Sequence, residues 1–286
     1  MVLHEHVPST LANRVVTQEP TLVATPVEPQ APRLQLNPQA RVRFFHIGKS
    51  RTPLLVIDDA ISDIDAWCAH ASSQAFRRAD AWYPGIRAAL PASYYQPLLQ
   101  ALVPLVSQLV FALGQASSGV SSGAGTAAPA ALKLELQQAV YSLITTDPAA
   151  LDLLQRLPHV DSVSVHKLAL VHYLAPGEHG GTAFYQHLPT GLERLTETTE
   201  PRYLAACQDF LTRHGVPQGY PNASMQLGPG AQYQVLQKVQ YQQNRLLVYP
   251  GALLHAAEVL PQDIQADPAL GRLTANLFFE WHEERA

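Results

Sequence analysis

The segment Leu157-Pro158-His159-Val160-Asp161 and the far downstream Ala252-Leu253-Leu254-His255-Ala256-Ala257-Glu258 constrain this chain more than any other feature. In extended backbone, side chains two positions apart project to the same side, so His159 and Asp161 can serve one cation. A third ligand at His255 would place two imidazoles and a carboxylate on one face of an octahedral divalent metal such as Fe(II), leaving the opposite face open. The fold must then bring together residues separated by 255 − 159 = 96 positions. A closed jelly roll does this, because strands distant in sequence become neighbours in it. Taken alone, His-x-Asp arises by chance in a chain with 12 histidines, so its surroundings decide.

With 286 residues, 47% apolar and 15% charged, the chain can bury a large core. Its net charge of −4 points to neither nucleic acid nor an anionic membrane surface. The longest apolar stretch, Leu98 to Leu113, is broken by Gln100, Pro104, Ser107 and Gln108, and it reads as a buried or amphipathic helix, not a membrane span. Cys68 and Cys207 are far apart and lack a CxxC context, and no basic-then-apolar leader is visible. The expectation is a cytoplasmic protein with reduced, structural thiols.

Residues 1–40, with Pro20, Pro26, Pro29, Pro32 and Pro38, read as an extended arm that offers a route to packing on a second copy. From Arg41 onward the chain reads as one domain (41–286). Strands are expected at Val42–His46 and Leu54–Asp59, a helix capped by Ser62 or Asp63, and a second helix over Ala92–Gly114. Ala116–Ala130 has the composition of a flexible loop, Leu132–Thr145 of a strand, and Ala149–Arg156 of a short helix. Beyond Asp161 the spacing predicts strands over Val163–Leu174, Thr182–His187, Tyr233–Tyr241, Arg245–Tyr249 and Arg272–Trp281. A helix is expected over Thr190–His214 and a loop over Gly215–Gly230. Closely spaced strands with turn punctuation give an α+β protein, with supporting strands and helices in 41–156 and a jelly-roll core in 157–282.

Five motifs stand in order: His159-x-Asp161, Tyr173-Leu174, Gly180-Gly181-Thr182-Ala183-Phe184, His255 after Asn244–Gly251, and Gly271-Arg272-Leu273-Thr274. In this the chain resembles the Fe(II)- and 2-oxoglutarate-dependent dioxygenases, most nearly their prolyl-hydroxylase-like branch. The resemblance covers residues 157–282 and implies a double-stranded β-helix, cupin-like core. It implies His159, Asp161 and His255 as iron ligands and Arg272 as the partner of the distal carboxylate of 2-oxoglutarate. Thr274 and Tyr173 would assist Arg272. A guanidinium fork suits that carboxylate because it is always charged and offers two parallel hydrogen bonds. The implied reaction uses dioxygen, releases succinate and carbon dioxide, and hydroxylates a C–H bond of a small molecule or peptide side chain. Halogenation is disfavoured, because Asp161 fills the ligand position a halide would need.

The spacing from His255 to Arg272 is longer than the family pattern, and Pro261–Leu270 is the surplus. Arg245 is the nearby rival, although it precedes the distal histidine. Arg87, in Pro84-Gly85-Ile86-Arg87, is a further cation that could be aimed at a carboxylate or substrate. His166, His172, His179 and His187 are read first as structural. Two other classes remain open on the residues alone. One is a zinc hydrolase using the same His/Asp/His site, and the other is a non-catalytic jelly roll that binds a ligand. The loop Leu188–Gly230 is large enough to act as a lid.

Overall fold

A computed structural model describes residues 31–79, 82–118, 132–221 and 231–283. Most of the expected arm, most of Ala116–Ala130 and the end of Leu188–Gly230 lie outside these residues. Within the unit Ala31–Ala286 the first strands are β1 (Arg41–Ile47), β2 (Thr52–Asp58), β3 (Arg77–Arg78), β4 (Gly85–Ala89) and β5 (Leu132–Ile144). They are followed by β6 (Lys167–Tyr173), β7 (Thr182–His187), β8 (Tyr233–Val239), β9 (Leu246–Pro250), β10 (His255–Ala257) and β11 (Thr274–Glu283). The helices are α1 (Ile64–Ser72), α2 (Ala92–Ser118) and α3 (Glu200–His214).

Among the described residues these strands form two antiparallel sheets. The larger has the order β1-β2-β9-β6-β11-β5-β4-β3, the smaller β10-β7-β8. From β6 onward the chain passes from the large sheet to the small one at β7 and β8, back at β9, across at β10 and back at β11. The isolated bridge His159↔His255 adds the segment around His159 to the free edge of β10. This is a mostly sheet, jelly-roll-like arrangement with few helices.

Both faces of the large sheet are covered, which explains why β2 and β9 read as apolar runs without alternation. One face carries Leu55, Tyr141, Leu170, Val248 and Leu277 and packs on Trp67, Tyr94, Leu98 and Leu102 of α1 and α2. The other carries Ala169, Tyr173, Leu247 and Tyr249 and meets Phe184 and Val239 of the small sheet. The interior between the sheets is therefore where Tyr173 and Tyr249 point.

Helix α1 starts where expected: the Asp63 carboxylate accepts a hydrogen bond from Ala66 N at 3.2 Å. Helix α2 runs through Pro97 and Pro104. Pro97 has no N–H for the carbonyl of Ser93, and Leu34 N fills that place at 3.1 Å. Contrary to the sequence expectation, α2 is long and apolar enough to span a bilayer by length and composition. Its residues Leu98, Leu102, Val106 and Leu109 are nevertheless buried in the core, as a helix lying on a sheet requires.

Two expectations are corrected. The helix expected over Thr190–His214 begins only at Glu200. Gly191 (φ +71°) breaks it, and Leu192 and Arg194 form bridges to His187 and Leu253. The Glu193 carboxylate accepts from Lys49 N and Ser50 N at 2.9 Å each, which ties this stretch to the β1–β2 turn. Residues 188–199 are thus bonded to both sheets, not hung over the barrel as a lid. The short helix expected over Ala149–Arg156 is two 3-10 turns, Pro148–Ala150 and Leu153–Arg156.

A buried polar latch joins the layers. Tyr94 OH donates to His172 Nδ1 at 2.5 Å, and His172 Nε2 donates to Asn244 Oδ1 at 3.0 Å. Asn244 also accepts from Ile61 N at 3.0 Å and donates to Ile61 O at 2.8 Å, from a backbone at φ +64° that Asn tolerates well. Burial holds the His172 imidazole down at about 4, so it is neutral and can fill both roles. Asn244→Ala is expected to destabilise the fold by about 2–4 kcal/mol, since it strands several buried groups and strains φ. Asn244→Gly should recover only the backbone part. Urea denaturation of the three proteins checks this.

Candidate metal centre

Residues 157–161 run extended along the edge of β10. His159 and His255 exchange backbone hydrogen bonds, N to O in both directions at 2.9 Å, and Asp161 N donates to Gly251 O at 2.8 Å. The extended path turns His159 and Asp161 to the same side, toward the ring of His255. One ligand atom from each of the three residues lies within 4.8 Å of the others. The two imidazole centroids are 4.5 Å apart.

The protonation pattern suits a cation. His255 Nδ1 donates to Leu253 O at 2.8 Å, which fixes the proton there and leaves a lone pair on Nε2. That lone pair faces Asp161 Oδ2 at 3.5 Å, and Asp161 Oδ2 is buried without any hydrogen-bond partner. Burial draws His255 down to about 4. His159 also falls to about 4, through burial among its neighbours and repulsion from His255, although the residue as a whole is exposed. Burial pushes the Asp161 carboxyl up to about 6, against the opposing pull of His159, Lys167 and Arg87. At neutral pH the site therefore holds two neutral imidazoles and a carboxylate, the state a divalent metal binds. An unprotonated nitrogen and a carboxylate oxygen facing each other in a dry pocket repel unless a cation lies between them.

Arg272, Thr274 and Tyr173 lie close together. Thr274 on β11 is directly opposite Tyr173 on β6, and the Arg272 guanidinium lies 5.4 Å from the Tyr173 ring centroid and 5.9 Å from that of Tyr241. Arg272 is buried and, among the described residues, makes no ion pair with a carboxylate. Its Nε and Nη2 donate to the carbonyls of Gly180 and Gly181 at 2.6 and 2.9 Å. Tyr173 OH bonds to Thr182 Oγ1 at 2.7 Å, and Thr274 Oγ1 accepts from Asn276 at 3.0 Å. The rival Arg245 is engaged elsewhere, with Asp58 at 2.5 Å and Gln242 at 2.6 Å.

Several residues at this site were not singled out from the sequence. Tyr249 packs edge-on against His255 at 4.9 Å. Burial raises its hydroxyl pKa, Asp161 raises it further and Arg272 lowers it, so Tyr249 feels both the triad and the buried cation. Asp263, from the surplus loop, is fully buried. It accepts from Gly180 N at 3.0 Å, Leu260 N at 2.8 Å and His179 Nδ1 at 2.8 Å, and so fixes the Gly-Gly turn that holds Arg272. Both glycines are required by close approach: a Cβ on Gly180 would lie 2.0 Å from Glu258 O, and one on Gly181 2.0 Å from Val239 O. Two of the histidines read as structural have such partners. His187 bonds to Thr190 at 2.8 Å, and His166 lies against Trp281 with centroids 4.5 Å apart.

The fold and the site together define a jelly-roll-like antiparallel protein whose two sheets enclose a His/Asp/His face capable of holding a metal. The chain belongs to DUF6445, a family of unknown function, whose family model matches residues 38–279. A search of curated proteins finds no match. Among solved structures, the chain is similar to the non-heme alpha-ketoglutarate-dependent epimerase SnoN from nogalamycin biosynthesis. That match has 14% identity, covers 79% of this chain and 76% of the other, and has a TM-score of 0.39. It is also similar to HygX from Streptomyces hygroscopicus, solved with nickel and 2-oxoglutarate (13% identity, 79% and 82% coverage, TM-score 0.36). A third is an N-substituted L-amino acid dioxygenase from Burkholderia ambifaria (12% identity, 80% and 85% coverage, TM-score 0.31).

The raised pKa of Asp161 gives a signed prediction. Its folded value lies above the unfolded one, so in metal-free protein the carboxylate weakens the fold increasingly as pH rises through about 6. Metal-free Asp161→Asn should melt close to wild type at pH 4 and higher than wild type at pH 7, by about 2–5 °C. Added divalent metal should reverse the order at pH 7. Thermal melts at the two pH values, with and without Ni(II), check both parts.

Proposed function

We propose that this protein is an Fe(II)- and 2-oxoglutarate-dependent dioxygenase with a double-stranded β-helix core, of the prolyl-hydroxylase-like branch, that hydroxylates a C–H bond of a small molecule or peptide side chain. The observation that supports the reading best is the convergence of three lone-pair-bearing atoms on one point, with a buried guanidinium lining the same interior. His159, Asp161 and His255 would hold the metal. The unpartnered Asp161 Oδ2 and the tautomer of His255 fit that use. The bound iron and cosubstrate would supply the oxidative chemistry, consuming dioxygen and yielding succinate and carbon dioxide.

The protein's own part is binding, orientation and exclusion of water. Arg272 would take the distal carboxylate of 2-oxoglutarate, with Thr274 and Tyr173 beside it. Its Nε and Nη2 already point at backbone carbonyls, so the guanidinium plane is set before any ligand arrives. Tyr173 and Tyr241 wall its faces. Phe184 and Tyr249, packed edge to face at 5.2 Å, close the space next to His255 and keep it dry. Low local polarity strengthens the contact between Arg272 and a carboxylate.

Anaerobic Fe(II) and 2-oxoglutarate should produce a weak visible charge-transfer band, and succinate should form in air. Zinc uptake without affinity for 2-oxoglutarate would instead favour a hydrolase. His159→Ala and His255→Ala are expected to abolish metal retention in a dialysis assay; normal metal content in either counts against the assignment. Arg272→Ala should weaken 2-oxoglutarate binding about 100-fold while Ni(II) is still taken up, consistent with loss of a charge-assisted pair. Asp263→Ala, which loosens the turn holding Arg272, should weaken it about 10-fold. Calorimetric titration of Ni(II)-loaded protein reads both.

A further inference from the structure

The C-terminal part of α2, the start of β5 and the end of β11 meet the stretch 194–199 around a cavity of about 750 Å³. Phe111, Leu132, Val165, Leu195 and Trp281 build its apolar wall. Phe111 and Val165 are 46% and 55% exposed, so apolar surface stays uncovered there. A concavity of this size, mainly apolar with a few polar groups, is of the kind that holds a small molecule. It lies apart from the metal centre. Along β9, Tyr249 faces the interior between the sheets and Val248 faces α2. Alternation puts Pro250, which lines the cavity, on the α2 side with Val248.

Arg194 supplies the charge in this cavity. Its backbone is fixed by the bridge to Leu253, and Leu195 N donates to Ala252 O at 2.9 Å. In extended backbone successive side chains point to opposite sides. The Glu193 carboxylate turns to the β1–β2 turn, where it accepts from Lys49 N and Ser50 N at 2.9 Å and from Ser50 Oγ at 2.5 Å. Arg194 turns the other way, into the cavity. Among the described residues its guanidinium makes no hydrogen bond and no ion pair. Burial lowers its pKa against the pull of Glu193, yet an arginine stays charged in a protein. A half-buried cation left without a partner costs desolvation that a bound anion offsets. One guanidinium fork matches the two oxygens of one carboxylate. Glu283 also lines the cavity, which disfavours a ligand with two negative charges, such as a phosphate monoester.

We propose that this cavity is a second ligand site, for a monocarboxylate with an apolar alkyl or aryl body. The carboxylate would sit on Arg194 and the body against Phe111, Val165 and Trp281. The site does not depend on the dioxygenase reading, because none of its residues belongs to the triad or to the surroundings of Arg272.

The test titrates the full-length protein with octanoate, octan-1-ol and acetate, read by calorimetry and NMR. Titrations are run on metal-free protein and on protein holding Ni(II) and saturating 2-oxoglutarate. Octanoate is expected to bind saturably, one per chain and equally in both states, about 10-fold or more tighter than octan-1-ol. Acetate, which has the charge without the body, should not saturate over the same range. Arg194→Gln should weaken octanoate about 10-fold and leave the alcohol unchanged, so that the preference for the acid disappears. Val165→Asp, at an exposed position, should weaken both ligands and octanoate more. Circular dichroism melts establish that each variant is folded, and Val165→Asp decides the matter should Arg194→Gln fail to fold. No saturable octanoate binding, equal binding of acid and alcohol, or binding indifferent to both positions overturns the proposal. Loss of octanoate binding when 2-oxoglutarate is bound also overturns it, by placing the acid at the metal centre. Should 2-oxoglutarate itself not bind, only the dioxygenase reading falls, and the metal-free titrations still decide whether the Arg194 site exists.

Discussion

Two unprotonated acceptors facing each other across 3.5 Å, His255 Nε2 and Asp161 Oδ2, set the terms for the rest of this structure. Folding brings them together at a cost, because neither can satisfy the other and both have been taken out of water. Everything nearby enforces the encounter. The backbone exchange between His159 and His255 fixes the edge of the small sheet, the bond from Asp161 to Gly251 fixes the next residue, and the carbonyl of Leu253 selects the tautomer. A cation that takes up the unused electron pairs removes that cost. Metal binding and folding are therefore coupled at this point in the chain.

A comparable economy appears deeper in the chamber. Arg272 is held by two carbonyls rather than by a carboxylate. Carbonyls orient a guanidinium without neutralising it, so its charge remains for a ligand. The anionic member of the arrangement, Asp263, stands one layer back. It binds the N–H of Gly180 and the ring of His179, not the arginine itself. The added length of the Pro261–Leu270 loop supplies this residue, so what looks like a departure in spacing is a brace for the same cation.

Much of this could be read from the sequence, for identifiable reasons. His159 and Asp161 announce themselves because a two-residue spacing has one geometric meaning in extended backbone. Arg272 and Thr274 do so for the same reason. Strands such as Thr182–His187 lie where apolar runs end in turn residues. What was hidden depends on tertiary pairing. The tract Thr190–Thr199 has helical periodicity, yet Glu193 gains more by capping the β1–β2 turn, and its backbone pairs with β10's approach instead. Strand β4 has no periodic run of its own, since only its pairing with β5 makes it a strand. Strand β10 is three residues long and has no period to detect. Asp263 and Tyr249 lack local motifs, and their roles come from what lies across the fold.

The three residues of the triad do not meet solvent equally: His159 is exposed, Asp161 is mostly buried and His255 is buried. The triad therefore meets solvent first at His159. Access from that side would need only side-chain motion, on the scale of nanoseconds to microseconds. A chelator would meet the ion from that direction, and a histidine-directed reagent would mark position 159 before position 255.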